Sequence, residues 1–290
     1  MTDDYWQYPV NRDALREKAA AFRKLHEAPQ AFILPNAWDI GSAVILAEAG
    51  FPAIASTSAG VAVAQGYPDG QQIGRDEMLA VVNRMVNKVA VPVSADLEAG
   101  YGMKPEDVAD TVRRAIDAGA VGANFEDGTR GGDQPLLDLS LNVERIRAAR
   151  EAADAEDIPF VVNARTDGYL VAGQDTAEAF EESVRRANAY RAAGADCLFV
   201  PGKLKLESIR RLAEAIDGPL NVLGALSGYE APSLGELQAA GVKRVSIGGS
   251  LSLAVLAFVK RVAEQLRKDG AFGYAGEALS NAKMNELLRR

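Results

Sequence analysis

One short phrase recurs four times along the chain: an Ala-Gly step followed at once by a brief apolar run. It reads "EAGFPAIAST" (48–57), "DAGAVGANFE" (117–126), "AAGADCLFV" (192–200) and "AAGVKRVSIG" (239–248). Glycine just past a helix readily takes the left-handed conformation, so each step reads as a helix stop before a strand. Four further runs are each announced by proline, in "APQAFILPN", "AVPVSAD", "DIPFVVNAR" and "DGPLNVLG". Proline at a strand's entry ends what precedes it and gives up no ladder hydrogen bond there.

Together these make eight strands, near 31–35, 53–57, 91–96, 121–126, 159–164, 196–200, 219–223 and 243–248. Helical-period segments such as "EDVADTVRRAIDAG" separate them. The strands are almost continuously apolar, as expected when both faces of a sheet are covered. Eight alternating units imply a parallel (β/α)8 TIM barrel. A doubly wound open sheet is the competing arrangement; the count of eight and the lack of an early GxGxxG weigh against it. The 290 residues suit one barrel, and no linker-like stretch interrupts 28–260. We therefore expect a single domain over 1–290, with a leading helical segment in 1–27 and a helical extension over 260–290. That extension exceeds what a closed barrel needs and suggests an oligomer.

With 32 basic against 40 acidic residues the net charge is −8. Such a balance argues against a nucleic-acid or anionic-membrane partner, while a local cation or a metal would still let a cleft accept a small anion. The N-terminus has no apolar segment of the signal-peptide kind, and the longest apolar stretch is too short to span a bilayer. The one cysteine, Cys197, suits a reducing compartment, so a cytoplasmic protein is expected.

Barrel enzymes place their chemistry at the C-terminal ends of the strands. Those ends carry Asn36 and Asp39, then "TSAG" (57–60) with Asp69 beyond, Asp96 and Glu98, and Glu126 and Asp127. They continue with Asn163, Arg165 and Asp167, then "PGK" (201–203), Asn221 and "GGS" (248–250). Asp96 and Glu98 are two residues apart, which puts both side chains on one side of an extended segment. Glu126, from the adjacent strand, joins them. Carboxylates crowded at one rim repel unless a cation or protons relieve them, and oxygen donors without His or Cys suit Mg2+ or Mn2+. Solvated loop acids are the plainer reading. Arg165 is either a structural ion pair or a fork for a substrate carboxylate. Cys197 falls within a strand and His26 on the leading helix, so both read as structural.

The segments "LPNAWDIGSAVILAEAGFPAI", "SADLEAGYG", "FEDG", "NARTDGYL" and "GVKRVSIGGSL" resemble the isocitrate lyase/phosphoenolpyruvate mutase superfamily over about 31–260. That resemblance implies a (β/α)8 barrel whose last helix is exchanged between subunits of a homodimer or homotetramer. It implies a Mg2+ site with Asp96 as the direct ligand and Glu98, Glu126 and Asp69 holding metal-bound waters. Arg165 would bind a substrate carboxylate, Asn221 would contact the substrate, and Thr57, Ser58 and Ala59 would cradle it. Arg165 and Glu126 are the expected catalytic pair. The chemistry implied is an enolate of a 2-oxo acid stabilised by the metal.

The departures narrow the expectation. Lyases of this group carry a loop of Lys, Lys or Arg, Cys, Gly and His after the fourth strand; here it reads "GTRGGDQPLLD". A glutamate usual after the sixth strand is replaced in "FVPGK", Glu98 stands for the commoner aspartate, and His26 is the only histidine. Arg130 and Asp133 are proton-carrier candidates by their place in the loop alone. The leading expectation is a Mg2+-dependent lyase on a small, oxaloacetate-like 2-oxo or 2-hydroxy di-acid, by decarboxylation or C–C cleavage. Phosphonopyruvate-type P–C chemistry and a non-catalytic 2-oxo-acid-binding protein are the alternatives.

Overall fold

The computed structural model describes residues 8–129 and 134–289. These residues form nine parallel strands: β1 (Phe32–Leu34), β2 (Asn36–Ala37), β3 (Ile54–Ser56), β4 (Val93–Asp96), β5 (Gly122–Glu126), β6 (Val161–Arg165), β7 (Cys197–Val200), β8 (Leu220–Leu223) and β9 (Arg244–Ser246). The count exceeds eight because Pro35, which has no N–H for the ladder, divides the first strand. Its carbonyl still accepts from Ala55 N–H at 2.8 Å. β1 pairs with β9 and β2 with β3, so the divided strand joins the two ends of the sheet and closes the barrel.

Helices surround the strands: α1 (Arg12–Glu27), α2 (Ile40–Glu48), α3 (Ser58–Ala64), α4 (Arg75–Val86), α5 (Pro105–Asp117), α6 (Leu139–Ala155), α7 (Gly168–Ala172), α8 (Ala177–Ala192), α9 (Leu206–Ala215), α10 (Leu234–Ala239), α11 (Ser250–Asp269) and α12 (Asn281–Arg289). The four glycines of the repeated Ala-Gly step, Gly50, Gly119, Gly194 and Gly241, have φ of 88, 91, 106 and 93°. Each ends a helix in the left-handed region, which a side chain would disfavour. Asp39, at the rim after the first strand, proves to be the N-cap of α2, accepting from Ser42 N–H.

Register decides what fills the lumen. Asp96 pairs with Asn124, Asn124 with Asn163, and Glu126 with Arg165; Asn221 pairs with Arg244. Cross-strand partners share a face, and Arg244 Nη2 reaches Asn124 Oδ1 on the far side at 3.3 Å. A polar layer therefore crosses the barrel interior, with the helix-facing sides left apolar.

At the opposite, N-terminal end, α1 closes the barrel. His26 packs edge-on between Phe22 (4.9 Å) and Phe32 (5.1 Å) and its Nδ1 bonds Phe22 O. Burial, reinforced by the Arg244 charge, lowers its pKa to about 3. Below the ordinary value near 6.5 the unfolded chain takes up a proton that the folded one refuses, so stability falls as pH drops toward 3. Moving from pH 8 to pH 5 should cost about 2 kcal/mol through this residue. Thermal unfolding of His26→Leu should show a shallower fall over that interval; equal slopes in the two proteins would refute this account.

The long helix α11 differs from its neighbours. Leu253, Val255, Leu256, Phe258 and Val259 are all exposed, and Ser252 is its one buried residue. Among the described residues no helix is long and apolar enough to cross a membrane.

Candidate active site

A cavity of about 460 Å³ opens at the C-terminal ends of the strands, where a barrel exposes its loops. Thr57, Ser58, Ala59, Asp69, Asp96 and Arg165 line it, as do "GGS" residues Gly248 and Gly249. Glu98, Glu126 and Asn221 stand behind its wall. Glu126 is 1% exposed and holds Arg165 from beneath; Asn221 donates to Ser246 Oγ at 3.1 Å, which itself lines the cavity.

Arg165 is fixed on several sides. Its Nη1 lies 2.7 Å from Glu126 Oε2, and its Nε and Nη2 donate to Asp167 at 2.6 and 3.1 Å. The Phe199 ring lies beside the guanidinium, 5.7 Å from Cζ to centroid. Burial opposes the charge, but Asp167, Glu126 and Asp96 outweigh it and hold the pKa above the usual arginine value. The structural reading of Arg165 therefore holds, and these contacts engage three of its five N–H donors.

Asp96, two strands away at the end of β4, lines the same cavity. Its Oδ2 accepts from Ser58 N–H at 2.9 Å and from Ser58 Oγ at 3.0 Å, so the helix α3 N-terminus is turned toward this carboxylate. Asn124 Nδ2 reaches Oδ1 at 3.4 Å. Thr57 is the N-cap of α3, its side chain accepting from Gly60 N–H. Gly60 is required there, because a Cβ would sit 2.6 Å from Thr57 Cγ2 and 2.8 Å from Trp38 Cβ.

Next to Asp96 the backbone is strained. Glu98, Tyr101 and Gln71 have φ of 52, 58 and 55°, a region that costs a non-glycine residue free energy. Two hydrogen bonds hold them there: Gln71 N–H donates to Glu98 Oε2 at 2.7 Å, and Tyr101 N–H to Gln71 Oε1 at 2.8 Å. Left-handed residues locked by such contacts concentrate at functional sites. Burial raises the Tyr101 phenol's pKa, and Glu98, Asp96 and Glu126 raise it further. Three carboxylates thus bear on one half-buried point.

Among the described residues no three acidic, His or Cys side chains stand close enough to hold a metal ion directly. The donor set nevertheless fits a hard ion that keeps several of its waters. It consists of oxygen alone, the donor type such an ion prefers.

Asp127, the other acid of the fourth expected strand end, does something different. It is fully buried and accepts from Asp167 N–H (2.8 Å), Tyr190 OH (2.7 Å) and Arg186 Nη1 (3.2 Å). Burial still raises its pKa despite those bonds. Its carbonyl takes Leu137 N–H at 2.8 Å, and Thr129 N–H bonds Pro135 O at 3.0 Å, so the loop's base is clipped shut. Arg130 and Asp133 lie outside the described residues. Cys197 is fully buried, its thiol pushed up to about 12 by burial, which leaves it without thiolate chemistry at neutral pH.

Asn124 and Arg244 escaped the reading of strand ends. Asn124 links Asp96 to Asn163 and Arg244; Asn36, which that reading did name, accepts at Oδ1 from Ile247 and Gly248 N–H and holds the last strand's rim to the first. A signal existed: polar residues recur with period two in "SAD", "NFE", "NAR" and "RVS", and this alternation marks a lumen-facing row.

The sequence matches the family "Phosphoenolpyruvate phosphomutase" over residues 22–267. It is 31% identical to the 2-methylisocitrate lyase of Escherichia coli K12 across 71% of this chain and 70% of that one. A crystal structure from Burkholderia cenocepacia J2315, provisionally described as a lyase/mutase, superposes with a TM-score of 0.89 at 44% identity, covering 94% of this chain and 96% of that one. Oxaloacetate acetylhydrolase in complex with oxalate superposes at 0.84, with 25% identity and 93% of each chain covered.

Proposed function

The chain belongs to the isocitrate lyase/phosphoenolpyruvate mutase superfamily, and from that premise we propose that it is a magnesium-dependent carbon–carbon lyase. Its substrate is a small 2-oxo or 2-hydroxy acid in which loss of CO2 from a second carboxylate on C3, or cleavage of another C–C bond there, leaves an enolate. The observation that carries this reading is that Arg165 and Asp96 line one cavity, the first suited to a substrate carboxylate and the second to a metal ion.

Asp96 would hold the ion directly, and Asp69, Glu98 and Glu126 would hold its waters. Bound there, Mg2+ would supply the Lewis acidity that accepts charge as the enolate develops. Arg165 orients the substrate carboxylate through its two remaining donors. Glu126 and Asp167 hold the guanidinium in one orientation, so little reorganisation is left for the reaction itself. Ser58 and Asn124 fix the Asp96 carboxylate. The same reading takes the uncovered stripe of α11 as the surface exchanged between subunits of a homodimer or homotetramer, which light scattering would register as two or four chain masses.

Oxalate is the probe, since it imitates a planar pyruvate enolate and an oxalate complex exists for a related fold. Calorimetry should show oxalate binding with Mg2+ and loss of that binding in EDTA. Binding that ignores EDTA, or none at all, would refute the proposal. P–C chemistry is disfavoured by the charge of the wall: among the described lining residues Arg165 is the one cation.

A further inference from the structure

We infer that the substrate's far end is a hydrocarbon group rather than a second carboxylate or a phosphonyl group, so that of the two routes the enolate arises by C3–C4 cleavage of a 4-hydroxy-2-oxo acid, the C4 hydroxyl giving up its proton as the aldehyde forms, and not by loss of CO2. This rests on the proposed binding of a 2-oxo acid head between Asp96 and Arg165, and it concerns the part of the cavity beyond that head.

The cavity is too large for the head alone. At about 460 Å³ it lies in the range of roughly 300–1,000 Å³ typical of sites for ligands much larger than a two-carbon acid. The surplus is walled by Phe199, Pro201, Leu170, Val171, Leu223 and Leu226. These come from the ends of β7 and β8, the loops that follow them, and α7. Leu170 and Val171 are 42% and 45% exposed, a cost in water that an apolar ligand group would relieve.

Charge points the same way. Among the described residues on the wall the acids are Asp69, Asp96 and Asp167, and the one cation is Arg165. Three of that cation's donors already serve Glu126 and Asp167, and the two remaining are spent on the head carboxylate. Among the described lining residues no second cation stands ready for another anionic group, whose desolvation would go uncompensated there. At the end of β7 this chain presents Phe199 and then Pro201 to the cavity, and neither side chain offers a polar group there.

The test displaces oxalate, in the presence of Mg2+, with 2-oxo acids of graded length and two kinds of end. Pyruvate, 2-oxobutanoate, 2-oxopentanoate and 2-oxohexanoate form the alkyl series; oxaloacetate and 2-oxoglutarate carry the terminal carboxylate. Affinity should rise by about fourfold per buried methylene, and 2-oxopentanoate should bind more tightly than 2-oxoglutarate, which has the same carbon count. In Leu226→Lys the ratio between those two ligands should move at least about tenfold toward 2-oxoglutarate, since the new cation would pair with its far carboxylate. Oxalate binding with a flat alkyl series, or with 2-oxoglutarate preferred by the unaltered protein, overturns this inference alone. Failure of oxalate to bind overturns the function proposal and this inference with it.

Discussion

Arg165→Met should both weaken the fold and abolish oxalate binding. Methionine approximates the stem's volume but leaves Glu126, 1% exposed, and Asp167, 7% exposed, facing one another without their cation. Removing one partner of a buried ion pair costs about 3–5 kcal/mol, because the remaining charge stays desolvated. Denaturant unfolding should show that loss as a lower midpoint at constant slope. The affinity for oxalate with Mg2+ should fall by a factor of about 100 or more, as expected for two charge-assisted hydrogen bonds. Arg165→Lys separates the two effects: it keeps the charge near Glu126 but loses the planar fork, so most of the stability should return and little of the affinity. Full oxalate affinity in the lysine variant would show that Arg165 acts only as a structural counter-charge.

Asp96→Asn should have the opposite profile, with stability kept and metal binding lost. An asparagine oxygen can still accept from Ser58 N–H and Oγ, the bonds that fix Asp96 now. The substitution also relieves repulsion with Glu98 and Glu126 around Tyr101 and gives up attraction to Arg165 and Arg244, two effects that oppose one another. Its unfolding midpoint should stay close to that of the unaltered protein. Mn2+ binding, followed by electron paramagnetic resonance, should weaken about 100-fold or more, since a hard ion loses its one direct anionic ligand. Unchanged Mn2+ affinity would remove Asp96 from that role and leave the crowded carboxylates without an assigned purpose.

The two variants divide along what could be read beforehand. Asp96 and Arg165 were legible because each ends an apolar run, and a barrel's chemistry lies at strand ends. Glu98 and Glu126 were legible as members of the acidic group, but not as side chains standing behind the cavity wall. Asp127 and Asp39 look like rim acids in the sequence. One is a fully buried partner of Arg186 and Tyr190, and the other a helix cap. Linear spacing cannot tell these apart, because burial depends on elements as distant as α8. Asn124 was missed since its neighbours in space, Asp96, Asn163 and Arg244, are brought together by strand register.

By itself the sequence determined the barrel. Its helix stops, strand entries and apolar runs are local features, and local backbone preference acts over a few residues wherever the chain lies. It also determined which residue types reach the rim, because strand ends follow directly from those signals. Only the tertiary structure decided how Arg165 is spent. The guanidinium's pairing with Glu126 and Asp167, and the apolar surface left beyond it, arise from side chains of four different strand–helix units meeting in one lumen. Electrostatic and apolar complementarity act through space, so the character of the substrate's far end became readable only once those units were closed into a ring.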